Sequence, residues 1–186
     1  MTTPRSLPTL DEAEETALVE RARTAEAARD EAFAEIFRIY RLPVLKLCVH
    51  VIGDASEAED VVQQVFLSVH RALPLFRGDS RLSTWIYRIA LRAAIAARSK
   101  RRTFEPLAEH LRAPSTEDEI QLRDEARRAA AAMDRLSIEH RAVLSLFAID
   151  GLSHREIANV LGVPEGTVWS RLSAARRRLN DELRGG

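Results

Sequence analysis

Residues able to do covalent chemistry are few in this chain, and they are scattered. The five histidines, His50, His70, His110, His140 and His154, share no metal-ligand spacing, and no HExxH, GxSxG, Walker-type loop or CxxC occurs. The single cysteine, Cys48, can form neither an intrachain disulfide nor a thiolate cluster, which suits a reducing cytoplasm. These patterns argue against an enzyme and call for no cofactor and no metal. What the spacing does offer is recognition. Residues 152–179 (LSHREIANVLGVPEGTVWSRLSAARRRL) read as a short helix with Ile157, Ala158 and Leu161 inward, a tight turn at Gly162 with Val163 inward, and a second helix built on Val168, Leu172 and Ala175. That is the helix-turn-helix arrangement, with small Ala158 permitting close packing. Its second helix would offer Glu165, Gly166, Thr167, Trp169, Ser170 and Arg171 to a major groove, with Ser173, Arg176, Arg177 and Arg178 available to bases or phosphates. The competing reading is a plain helical hairpin with a solvated basic face.

A second constellation lies upstream. Residues 76–102 hold 8 basic residues and one acid, with Trp85 and Tyr87 interleaved. Base faces stack on aromatic rings while guanidinium groups hold phosphates, so this mixture suits single-stranded or unstacked nucleic acid. The plainer alternative puts Trp85 in a core and leaves the arginines as a solvated face.

The elements that must position these residues are helical. Hydrophobic residues make up 46% of the 186-residue chain, charged residues 30% and aromatics only 5%, with 7 Gly and 7 Pro. This is a globular composition in which helix formers greatly outnumber strand formers, and its length fits one large or two small domains. No apolar run approaches the roughly 20 residues that cross a bilayer, and the N-terminus lacks a basic-then-apolar leader, so no membrane insertion is expected. The formal charge is zero, but it is laid out in blocks: −6 over residues 1–60, +7 over 61–112, −3 over 113–150 and +2 over 151–186. Two basic segments, each behind an acidic one, suggest two DNA-facing surfaces on a protein that otherwise faces something else.

Along the chain, residues 11–28 read as a helix with acids in its first turns. Residues 30–52 continue helically, with Pro43 marking a kink or a fresh start before Gly53. Ser56 and Glu59 stand at capping-box spacing ahead of an amphipathic helix, its apolar side Val61, Val62, Val65, Phe66 and Val69, that ends near Arg71. Residues 73–81 (LPLFRGDSR) break the period and read as a loop, after which Ser83 caps a basic amphipathic helix to about Arg98. The period fades over 103–115, between which Pro106 and Pro114 lie. Helices then follow from Thr116 to Arg135, from Ser137 to Ile149, from Ser153, with Glu156 three residues on at capping-box spacing, to Gly162, and from Glu165 to Leu183. The expected organisation is a disordered N-terminus over 1–10, one helical domain over 11–102, a flexible linker over 103–115 and a second helical domain over 116–184.

Both constellations resemble one family, the extracytoplasmic-function group of bacterial RNA polymerase sigma factors, and the likeness covers nearly the whole chain. Gly53-Asp54 followed by residues 57–67 (EAEDVVQQVFL) is similar to that family's regions 2.1 and 2.2. Residues 83–90 (STWIYRIA) resemble its regions 2.3 and 2.4, and residues 136–179 resemble region 4. The resemblance implies an all-α protein of two small domains, the region 2 bundle and the region 4 helix-turn-helix, that binds core RNA polymerase and directs it to promoters. It implies that Asp60, Gln63, Gln64 and Leu67 face the polymerase. It also implies that Phe76, Arg77, Asp79, Ser80, Arg81, Trp85, Arg88 and Arg92 meet the melted −10 element, where a flipped base would be captured at a cost of a few kcal/mol of unstacking. Glu165, Gly166, Thr167, Trp169, Ser170, Arg171, Ser173 and Arg176 would read the duplex −35 element. The family further implies an anti-sigma factor as a partner, and no covalent chemistry. Many relatives carry Asn and Asp where this chain has Arg92 and Ala96, so their promoter preference does not transfer at those positions.

Two other functions fit parts of the sequence. A stand-alone helix-turn-helix regulator would use the first half as a dimerisation or sensory module, but such a module has no need of the basic, aromatic segment 76–102. A sigma-like decoy would bind polymerase or an anti-sigma factor without initiating transcription.

Overall fold

Glycines and short polar caps divide the chain into helices. The computed structural model describes residues 10–24, 26–101, 127–148 and 151–185. The N-terminal stretch 1–9, the linker 103–115 and the first part of the helix expected over 116–135 lie outside the described residues. Helix α1 spans Glu12–Arg23, α2 Glu26–Ile52, α3 Ala55–Ala72 and α4 Leu82–Arg101. In the second half α5 covers 127–134, α6 Ile138–Ala148, α7 His154–Leu161 and α8 Glu165–Arg184. Among the described residues there is no strand.

Several boundaries differ from the sequence reading, each for a local reason. The expected helix 11–28 stops at Arg23, where the backbone turns out of the helical region at Thr24 and restarts at Glu26. Its N-terminus is closed by a capping box between Asp11 and Glu14. Pro43 neither ends nor restarts α2, which runs 27 residues through it and buries Ile36, Tyr40, Val44, Leu47, Cys48 and Val51 on one side. Packing of that face holds the helix across the missing N–H. Ser56 and Glu59 do not cap α3. Gly53 adopts φ +83°, which sets Asp54 extended, and the Asp54 carboxylate accepts from the Glu57 N–H at 2.9 Å. Ser83 does not cap α4 either; it is buried inside the helix. The Leu82 N–H donates instead to Glu15 of α1, whose other carboxylate oxygen receives Arg81 Nε at 2.7 Å. A side chain from the first helix thus closes the start of the fourth. The segment 73–81 is a loop except for a single 3₁₀ turn over Leu73–Leu75.

The first four helices enclose a core that includes Ile36, Tyr40, Leu47, Val65, Phe66, Ile86 and Tyr87. Burial pushes the Tyr40 hydroxyl up to about 12, so it stays protonated. In the second half, Ser153 and Glu156 form the capping box the sequence predicts. Gly162, at φ +66°, closes α7 in the left-handed region, and the Val163 N–H returns to the Ala158 carbonyl at 3.1 Å. Val168, Leu172 and Ala175 of α8 are buried against Ile157, Ala158 and Val160 of α7; Val160 takes the inward place expected for Leu161, which is half-buried.

The two halves pack on each other, α6 against α2 and α7 against α4. At the seam Arg141 of α6 is 1% exposed; it donates to the Met133 carbonyl at 2.6 Å and the Val51 carbonyl at 3.3 Å, and pairs with Asp134 at 2.8 Å. Asp134 also pairs with Arg98 of α4 at 3.2 Å, and Arg98 donates to the Ile52 carbonyl at 2.6 Å. A buried guanidinium is tolerable only with this degree of satisfaction.

Candidate nucleic-acid and polymerase interfaces

Three surfaces gather the residues singled out by the sequence. On α3, the buried set Ala58, Val61, Val62, Val65, Phe66 and Val69 fixes the helix's rotation, so Asp60, Gln63, Gln64 and Leu67 emerge together at i, i+3, i+4 and i+7. All four are exposed, Leu67 to 56%. Beside them Phe37 of α2 packs edge-on to Phe66, with ring centroids 4.8 Å apart, and remains 36% exposed. The result is a polar stripe with an apolar end, an arrangement suited to a protein partner.

The second surface is a cleft of about 370 Å³ between α1 and the 76–81 loop. Arg77, Gly78, Ser80 and Arg81 line one wall, and Glu15, Thr16, Val19, Glu20 and Arg23 line the other. Arg81 is held by Glu15 and by the Leu10 carbonyl, and the Arg23 guanidinium donates to the Phe76 carbonyl at 2.5 Å, so the loop is tied to α1 at both ends. Gly78 takes φ +79° with open space around it, which turns the loop outward. Arg77 and Asp79 are exposed and pair with each other at 3.1 Å. Phe76 departs from its expected place as an open contact. It is 7% exposed and packs beneath Trp85, with centroids 5.0 Å apart, so it supports the half-buried Trp85 ring rather than standing free. Tyr87 is fully buried and is core. Nothing local in the sequence points to the α1 wall, because no spacing links residues 15–23 to a loop some sixty positions on.

The third surface is the outer side of α7 and α8. Glu165, Gly166, Trp169, Ser170, Ser173 and Arg176 are exposed, and Thr167 is half-buried in the first turn. Arg171 is half-buried and points elsewhere. With Arg88 and Arg92 of α4 and Glu139 of α6 it lines a cleft of about 330 Å³ between the two halves. Arg88 reaches across that seam and donates from Nε and Nη2 to the Asn159 carbonyl at 2.9 and 2.7 Å. Hydrogen bonds from its own backbone N–H and from Ser137, with Arg171 close by, hold the Glu139 carboxyl below its usual range, so it stays anionic among these arginines. Arg88, Arg92 and Arg171, expected on two separate DNA elements, are thus brought together. Among the described residues no three His, Cys, Asp or Glu side chains gather as metal ligands, and no helix is long and apolar enough to cross a membrane.

This pairing of a basic loop-and-helix domain with a helix-turn-helix domain is the build of a promoter-specificity subunit of RNA polymerase, and sequence comparison gives the same answer. Residues 36–104 match Sigma-70 region 2 and residues 126–179 match Sigma-70 region 4. The RNA polymerase sigma-H factor of Pseudomonas aeruginosa is 34% identical over 180 residues, covering 89% of this chain and 92% of that protein. The ECF sigma factor SigW of Bacillus subtilis is 28% identical over 178 residues, covering 88% and 95%. The ECF sigma-E factor of Escherichia coli is 33% identical over 143 residues, covering 69% and 75%. CnrH, solved in complex with the cytosolic domain of CnrY, shares the fold with a TM-score of 0.72 at 24% identity, over 92% of this chain and 97% of that one. The sigma factor RpoE of Bartonella quintana, solved with the anti-sigma factor NepR, does so with a TM-score of 0.64 at 22% identity, over 82% and 96%. The chain belongs to the sigma-70 family, in its extracytoplasmic-function group. It is an alternative sigma factor that directs RNA polymerase to promoters.

Proposed function

We propose that this sigma factor reads a −10 element with the α1–loop cleft and the adjoining face of α4, reads a −35 element with α8, and docks on core polymerase through the Asp60, Gln63, Gln64 and Leu67 stripe. The observation that carries the −10 assignment is the cleft itself. A flipped base needs a pocket that also holds phosphate, and here Arg77 and Arg81 border a space of about 370 Å³ with Ser80 as a hydrogen-bonding group. Trp85, braced from below by Phe76, supplies a face on which a neighbouring base stacks. The role asks no covalent chemistry of the chain, and it belongs in the cytoplasm, where polymerase works.

Arg88 is engaged with Asn159, and Arg92 and Arg171 face it across the cleft between the halves, so these three arginines of the two DNA-reading surfaces are not free for DNA in the packed arrangement. Core binding therefore separates the halves before both elements are engaged. The charge balance agrees: a protein with 28 basic and 28 acidic residues has little nonspecific affinity for DNA by itself and draws affinity from polymerase. An anti-sigma factor fits as the partner that covers the polymerase-binding stripe; the RpoE of Bartonella quintana, which shares the fold, has been solved with one.

Multi-promoter run-off transcription with purified bacterial core polymerase tests the reading. New starts that share two motifs at a fixed spacing are expected only when this chain is present. Core binding without new starts would favour a decoy, and duplex binding without core would favour a stand-alone regulator.

A further inference from the structure

Four side chains from three helices form one column on the outer face of the second domain. His154, the first residue of α7, stacks on Trp169 of α8 with centroids 4.5 Å apart and planes 20° apart. Phe147 of α6 also stacks on His154, at 5.4 Å and 26°, and the Arg176 guanidinium sits 4.6 Å over the Phe147 ring. Trp169 and Arg176 are seven residues apart and share one side of α8. Trp169 remains 60% exposed although its ring stacks on His154. An exposed tryptophan with no such support samples several rotamers, and ordering it on binding would cost affinity. Here the cost is met in the fold.

The chemistry of the ring limits what it can read. Indole has a single N–H donor and no fork, so it cannot make the paired contacts that arginine makes to guanine or asparagine to adenine. Its hydrocarbon edge matches the one apolar feature of the major groove, the thymine 5-methyl group. We propose that Trp169 recognises a thymine methyl in the −35 element, and that His154 and Phe147 are positioning residues that hold Trp169 and Arg176 in register for it. This inference rests on the assignment of α8 to the −35 element.

The test uses holoenzyme assembled from core polymerase and the full chain, on a promoter it transcribes. Each upstream thymine is replaced singly by deoxyuridine, which lacks only the methyl, and affinity is measured by competition. Loss of a well-buried methyl corresponds to about fourfold weaker binding, expected at one position. Trp169→Ala should erase that discrimination, His154→Ala should reduce it, and His154→Phe, which keeps a ring to stack on, should restore it. Equal affinity for thymine and deoxyuridine at every upstream position, or unchanged discrimination in His154→Ala, overturns the proposal. A Ser170→Ala/Ser173→Ala variant separates the two levels. If it leaves the upstream preference unaltered, the assignment of α8 falls and the inference with it; if it alters the preference while deoxyuridine has no effect, only the inference falls.

Discussion

Gly53 and Asp134 show how single residues hold the seam between the halves. Gly53 sits at φ +83°, and a Cβ there would lie 2.9 Å from Asp134 Oδ1 and 3.2 Å from Arg98 Nη1. Gly53→Ala combines left-handed strain with that crowding and should destabilise the protein by about 1–2 kcal/mol, read as a lower urea midpoint. Asp134 is the shared carboxylate for Arg141 and Arg98, and its side chain is 49% exposed while that of Arg141 is 2% exposed. Removing the carboxylate takes the ion-pair partner at 2.8 Å away from a buried guanidinium. Solvent access at Asp134 makes the loss smaller than for a fully buried pair, so Asp134→Ala should cost about 1–2 kcal/mol in the same urea titration. An unchanged midpoint would mean that water replaces the carboxylate freely. Neither residue was legible as a site. Arg141 lies in an otherwise apolar run, and nothing local says that its guanidinium turns to the Val51 and Met133 carbonyls.

The helices were legible wherever local chemistry decides them. Ser153 and Glu156 announced the start of α7, Gly162 its end, and the spacing of Val61, Val62, Val65, Phe66 and Val69 the buried side of α3. The failures came from partners distant in sequence or from competing caps. Glu15 closes α4 from 67 positions away, and Asp54 pre-empts Ser56 because Gly53 has already turned the chain. Phe76 looked like an open aromatic in a loop, and only the position of α4 puts Trp85 over it. The α3 stripe carries its own prediction, since its members are exposed and make little of the core. Replacing Asp60 and Gln63 by Ala and Leu67 by Asp should weaken core polymerase binding at least tenfold by titration, while thermal unfolding shifts little. Normal binding would mean that another face docks.

At the scale of the whole molecule, composition points to an all-helical chain and the charge blocks to two basic segments, but neither says how the halves meet. That packing needs Arg88 to find Asn159 and Arg98 to find Asp134, contacts between segments that no period connects. The opening on polymerase proposed above would break these contacts. Nitroxides at Ser99→Cys and Arg135→Cys, both exposed and flanking the seam, should report a short separation in the free chain that lengthens when core is added; Cys48 is buried and takes no label. A separation unchanged by core would mean that polymerase accepts the packed form. A division of labour between the two reading surfaces predicts separable effects on the two promoter motifs, which promoter selection from a randomised library measures. With the wild-type holoenzyme two motifs should emerge; Arg77→Ala should relax the downstream motif alone, and Ser170→Ala/Ser173→Ala the upstream motif alone. Relaxation of the wrong motif, or of both together in either variant, would contradict the account.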